Sequence, residues 1–235
     1  MRGGILFNLL LSFLVIISFI PGAQSENQRS KKPLNVTKLT PTSKIQKGLV
    51  EKFKWIVTRH KVEKSAFVRQ INLNTRNVAS GRGPASVGSN RNISRVSRGI
   101  ASVIITIEQK ENLKSRVELM NTRINGMTFK SDVNNVGVSD YWASPLETLK
   151  NNSGDCEDLS ILKLFTLREQ FKLPAKDLYL AMAHDHKKNE KHAFSIVNIK
   201  GKMWVLDNQL SMRPLSSVKN RYRIEYVFQL SDWTN

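Results

Sequence analysis

A lone cysteine, Cys156, lies in the run Asn151-Asn152-Ser153-Gly154-Asp155-Cys156-Glu157-Asp158-Leu159, and it is the only thiol in the chain. From Glu157 to Phe171 the residues are helix formers, with Leu159, Ile161, Leu162, Leu164, Phe165, Leu167 and Phe171 dense enough for a largely buried helix. Lys172-Leu173-Pro174 stops it. Upstream, Gly154 lets the backbone turn tightly, and Ser153 or Asp155 can cap the free amides. The spacing therefore predicts Cys156 in the first helical turn, where unpaired N–H groups and the positive helix end favour a thiolate.

Asp155, Glu157 and Asp158 crowd the same turn and act against that. At an effective dielectric near 20, a carboxylate about 6 Å away costs a thiolate roughly 2 to 3 kcal/mol. The helix end returns only about 0.3 to 2 kcal/mol. Left bare, the acids win and raise the thiol's pKa. A hard cation held by their oxygens resolves the conflict, and outside the cytoplasm calcium is the natural choice. The plainer alternative is that the three acids point to solvent as ordinary first-turn residues.

A cysteine nucleophile needs a base and a group to orient that base. His192 to Ile199 and Met203 to Gln209 read as a hairpin around Lys200-Gly201. With a two-residue turn, Phe194 faces Asp207 and His192 faces Gln209, so His192 and Asp207 become diagonal neighbours on one strand face. Phe194, Ile196, Met203 and Val205 share that face and mark it as buried, where an imidazole and a carboxylate need each other. Cys156, His192 and Asp207 thus compose a nucleophile, a base and an orienting acid, with the Cys156 N–H as oxyanion donor. His184 and His186 are rival bases, but they stand in the polar run His184 to Lys191, which reads as an exposed loop.

The elements that must position these residues follow in chain order. Arg2, the apolar run Ile5 to Ile20, Pro21-Gly22 and Ala23-Gln24-Ser25 have the order of a secretory signal over 1–25. The alternative is an uncleaved anchor, although the run falls short of the ~20 residues that span a bilayer. In an exported chain a lone cysteine forms no internal disulfide, which adds weight to a working role for Cys156. Residues 26–43 read as a flexible basic leader, and 44–235 as the catalytic domain. Within it, Ser43 to about His60 has helical apolar spacing, and Asn74 to Arg98 reads as a Ser/Gly/Arg-rich loop. Ile100 to Ile107 fits strand or helix, and Glu108 to Ile124 is helical. Ser144-Pro145-Leu146-Glu147 is a capping-box start for a short helix leading to Cys156, with Trp142 before it as a core aromatic or a wall of the cleft. Leu178 to Ala183 and Tyr222 to Phe228 complete the strands.

The chain carries 37 Lys and Arg against 19 Asp and Glu, a net charge of +18, so its surface attracts polyanions. Nucleic acid, anionic lipid headgroups, envelope polysaccharide or an acidic protein would each answer such a surface, and the export signal decides between these compartments: no nucleic acid is expected, and no membrane embedding once the signal is removed.

Met120-Asn121, Ile124-Asn125, Asp140-Tyr141-Trp142-Ala143-Ser144-Pro145-Leu146-Glu147, Gly154-Asp155-Cys156-Glu157-Asp158, His192-Ala193-Phe194 and Val205-Leu206-Asp207-Asn208 together resemble the bacterial transglutaminase-like cysteine peptidases of the LapG type. The resemblance covers about the C-terminal half. It implies an α+β papain/transglutaminase-like fold, with the nucleophile at a helix N-terminus packed on an antiparallel sheet. It also implies a Cys156, His192, Asp207 triad, and calcium held by Asp155 and Glu157 with Asp158 adjacent. Such a peptidase is expected in the periplasm. There it cuts the N-terminal region of a large surface adhesin near a di-alanine site and so promotes biofilm dispersal, and an inner-membrane cyclic-di-GMP receptor of the LapD type restrains it. Two other readings stay open: acyl transfer to an amine through the same thioester, and a non-catalytic basic module that binds an envelope polyanion or nucleic acid through its Lys and Arg.

Overall fold

The computed structural model describes residues 44–79 and 112–234. The expected signal over 1–25, the leader over 26–43, the run Ile100 to Ile107 and most of the Ser/Gly/Arg-rich stretch lie outside the described residues. Helix α1 spans Lys44–Ala79 and α2 spans Leu113–Asn125, the latter capped by the Asn112 side chain on the Ser115 N–H. Strand β1 (Thr128–Phe129) and a short helix α3 (Asp132–Val136) follow. Helix α4 (Pro145–Asn151) starts at the expected capping box: the Ser144 hydroxyl accepts the Glu147 N–H, and the Glu147 carboxylate accepts the Ser144 N–H. Strand β2 (Ser153–Gly154) then leads into α5 (Cys156–Glu169).

Helix α5 is the centre of the molecule. Every residue from Asp158 to Leu167 is buried, because the sheet packs on it from one side and α2 and α4 from others. The sheet comprises β3 (Leu178–Asp185), β4 (Glu190–Ile199), β5 (Lys202–Leu206), β6 (Arg213–Pro214) and β7 (Tyr222–Gln229). Its order is β6-β5-β4-β3-β7, antiparallel throughout. The β4–β5 ladder runs from Ile199↔Lys202 to Ser195↔Leu206, the register that a two-residue turn dictates. Lys200 and Gly201 both take positive φ, 51° and 80°, as a type I′ turn requires.

Three expectations change. Helix α1 does not end near His60: Phe67 and Ile71 extend its buried stripe, and its last residues, 74–79, overlap the stretch read as loop. The run from His184 to Lys191 is no open loop, since β3 continues to Asp185 and β4 begins at Glu190. Asp185 is fully buried there because Arg221 neutralises it at 2.8 Å. Finally, both faces of the sheet are covered. Leu180, Val197 and Leu206 join the main core with the helices, whereas Phe194, Ile196 and Val205 pack with Leu215, Val218 and Tyr222. Trp142 belongs to the main core.

Candidate active site

Cys156 opens α5, and Asp155 holds the cap position without a side-chain cap bond. The approach is fixed by a parallel pairing of β1 with β2, Thr128 to Ser153 and Phe129 to Gly154. Gly154 is needed for space rather than for a turn. A Cβ there would stand 2.6 Å from the Asp158 Cβ and 2.9 Å from its Oδ2. Asp158 is itself anchored, its Oδ1 accepting the Ala143 N–H at 2.7 Å.

The thiol donates to Glu157 Oε2 at 3.0 Å. Burial, and then the charge of Glu157 and its hydrogen bond, push the Cys156 pKa well above that of a free thiol; the Ala193 N–H, which bonds the sulfur, pulls the other way. Without a cation this cysteine is a protonated, poorly nucleophilic thiol at neutral pH.

Ala193 follows His192 on β4, so the sulfur meets the strand backbone at the residue after His192. His192 Nε2 lies 2.9 Å from Asp207 Oδ1, with both side chains buried. Asp207 Oδ1 also accepts the Gln209 N–H at 2.9 Å, and Oδ2 accepts the Tyr222 hydroxyl at 2.6 Å. Asn125, at the end of α2, donates to the Asp207 carbonyl at 2.7 Å. Burial alone would raise the Asp207 pKa, but the bonds from His192, Tyr222 and Gln209 bring it below the ordinary carboxylate value. Tyr222 also stacks on the imidazole, with ring centroids 5.3 Å apart and planes at 29°. Burial and Asp207 push its own pKa far up, so it stays a donor.

The remaining histidines stand elsewhere. His184 and His186 pack edge to face at the end of β3, with centroids 5.4 Å apart. His60 lies between Phe67 and Phe165 and faces Glu169 at 3.5 Å. Glu169 is at the far end of α5, roughly 20 Å along the helix from Cys156.

The acids divide differently from expectation. Asp132, Asp155 and Glu157 bring carboxylate oxygens within 4.8 Å of one another; Asp158 is outside that group because Ala143 and the packing at Gly154 engage it. Asp132 comes from α3, which the β1–β2 pairing carries alongside Asp155. Its Oδ2 accepts the Tyr141 N–H, while its Oδ1 and the Asp155 Oδ1 are buried without a partner. Burial and the neighbouring Asp155 push Asp132 up to about 6 and Glu157 to about 8. Burial raises Asp155 too. Asp158, raised by burial and by Asp155, reaches about 7. Converging hard oxygens, two of them orphaned, fit a divalent cation such as calcium. Nothing in the sequence singled out Asp132 among 19 acidic residues, and Tyr222 carried no signal beyond its place in a strand.

Cys156 opens a buried helix that packs against the strand of His192, and Asp207, just past the end of the neighbouring strand, bonds that histidine; this is the arrangement expected of a papain/transglutaminase-like fold. Residues 91–231, more than half the chain, match the family described as bacterial transglutaminase-like cysteine proteinase, and the chain belongs to that family of cysteine peptidases. Its fold is similar to that of calcium-bound LapG from Legionella pneumophila, with TM-score 0.53 and 21% identity over 68% of this chain and 83% of that one. EGTA-treated LapG from the same organism is similar at TM-score 0.52 and 21% identity, covering 67% of this chain and 81% of the other. No curated protein sequence matches the chain.

Proposed function

We propose that the protein is a calcium-dependent cysteine endopeptidase of the periplasm in which Cys156 is the nucleophile, His192 the base and Asp207 the orienting acid. The observation that carries this reading is the buried His192–Asp207 bond beside the strand N–H that touches the sulfur. With Nε2 given to Asp207, Nδ1 is the nitrogen left to take the thiol proton. The thiolate attacks a peptide carbonyl, and the Cys156 N–H at the helix end receives the developing oxyanion. His192 then returns the proton to the departing amine. A water deprotonated by the same imidazole cleaves the thioester and frees the enzyme. Asp132, Asp155 and Glu157 would hold the ion. When bound, calcium supplies the positive charge that offsets the carboxylates beside the thiol.

One of the LapG structures above is calcium-bound and the other EGTA-treated, which supports a calcium site in this fold. The family resemblance extends the proposal to the N-terminal region of a large surface adhesin as substrate, cut near paired alanines. It extends it also to biofilm release and to restraint by a LapD-type cyclic-di-GMP receptor. No helix among the described residues is long and apolar enough to cross a membrane. Incubating the protein with an adhesin N-terminal fragment, with calcium or with EGTA, tests the reading. Cleavage with free new peptide ends is expected only with calcium and Cys156. Activity that persists in Cys156→Ala would refute it, and ammonia release with cross-linked product would mark acyl transfer instead.

A further inference from the structure

Beneath the site, the contact between α5 and the sheet is polar where a core is ordinarily apolar. Ser160, Lys163 and Ser195 are all fully buried. Ser160 and Lys163 stand four and seven residues after Cys156, on the same side of α5. The Ser160 hydroxyl bonds the Cys156 carbonyl at 2.6 Å and lies 3.2 Å from the Ala193 carbonyl. From β4, the Ser195 hydroxyl donates to the Ser160 carbonyl at 2.6 Å. Lys163 Nζ donates to the Leu206 carbonyl at 3.5 Å.

The two sheet carbonyls reached from α5 belong to the residues next to His192 and Asp207. Apolar packing is non-directional and lets a helix slide on a sheet, whereas hydrogen bonds fix one translation and one rotation. Stability does not explain the lysine, because an apolar side chain of similar volume commonly serves a buried site as well or better. Burial lowers its pKa to about 7, and the charge it answers to is Asp207.

We propose that Ser160, Lys163 and Ser195 are positioning residues, a buried polar seam that sets the nucleophile's helix against the strands of His192 and Asp207. This rests on the triad reading above.

The test uses the full chain loaded with calcium and follows alkylation of Cys156 by iodoacetamide at pH 7 together with thermal unfolding. In Lys163→Met and Ser195→Ala, alkylation should slow at least about tenfold, as expected of a small misplacement of sulfur and imidazole. Tm should hold within about 3 °C or rise. Alkylation at the parent rate in both variants would overturn the proposal. So would a slowing matched by a collapse of Tm in both, which would make the groups merely structural. If Lys163→Met does not fold, Ser195→Ala, which removes one hydroxyl, decides alone. His192→Ala separates the two layers: slow alkylation there with the parent rate in the seam variants removes only the seam, whereas fast alkylation in His192→Ala removes the triad itself.

Discussion

Asp207 receives hydrogen bonds from three groups on its carboxylate and one on its carbonyl, and each contributor comes from a different part of the chain. Removing one of these tests how much orientation matters. Tyr222→Phe keeps the ring that stacks on His192 and deletes only the bond to Oδ2. A hydrogen bond to a charged group contributes about 1.5 to 3 kcal/mol, so kcat should fall roughly tenfold or more with KM little changed. Steady-state kinetics on the cleaved substrate reads this directly. A second residue-scale outcome concerns Glu157. In EGTA at pH 9, above the value of about 8 to which Glu157 holds its proton, Glu157→Gln removes the thiol's charged acceptor, so Cys156 should alkylate faster than in the parent, by severalfold. The same change should weaken calcium binding, which titration calorimetry would record. The place of Cys156 at a helix start and the pairing of His192 with Asp207 were legible in the sequence, because a turn signal ahead of an apolar helical run and a two-residue hairpin turn constrain them. Asp132 and Tyr222 were not, because their roles depend on which distant segment folds beside them.

At the scale of elements, the two-residue pairing of β1 with β2 does more than its length suggests, since it places Asp132 beside Asp155 and aims Cys156. Pairings this short leave no periodic pattern to read. The hairpin around Lys200-Gly201 was readable for the opposite reason: a two-residue turn fixes register along the whole ladder. The continuation of α1 past His60 escaped because the stripe is interrupted there. His60 occupies a core position as a buried histidine, and Val62 beside it is 83% exposed. The sharpest test at this scale is Gly154→Ala. A Cβ at 2.6 Å from that of Asp158 forces β2 or α5 to move, at about 1 to 3 kcal/mol. A loss of roughly 3 to 10 °C in Tm is expected for a chain of this size. Calcium affinity should fall with it. An unchanged melt would mean that Asp158 does not press on β2 as described.

Across the whole molecule, the unpaired acids make stability depend on pH in a direction that calcium should cancel. Asp132, Asp158 and Glu157 hold their protons to about 6, 7 and 8 in the fold, whereas the unfolded chain releases them near 4 to 4.5. Between pH 5 and 7 the folded state therefore binds more protons, and stability falls as pH rises. His60, its pKa lowered by burial, works the other way, one group against these three and Asp155, which burial also raises. Lys163 opposes the trend only above pH 7. In EGTA, Tm should drop from pH 5 to pH 7; with calcium the drop should shrink or vanish. A calcium-free melt that rises over this interval would contradict the burial of these carboxyls.

The measurement closest to the central claim is the rate at which iodoacetamide alkylates Cys156 at pH 7, with calcium and with EGTA, in the parent and in His192→Ala. Rapid alkylation is expected only when calcium and His192 are both present. Equal rates in all four conditions would contradict the account, because the sulfur would then owe its reactivity to neither the imidazole nor the relief of its neighbouring acids.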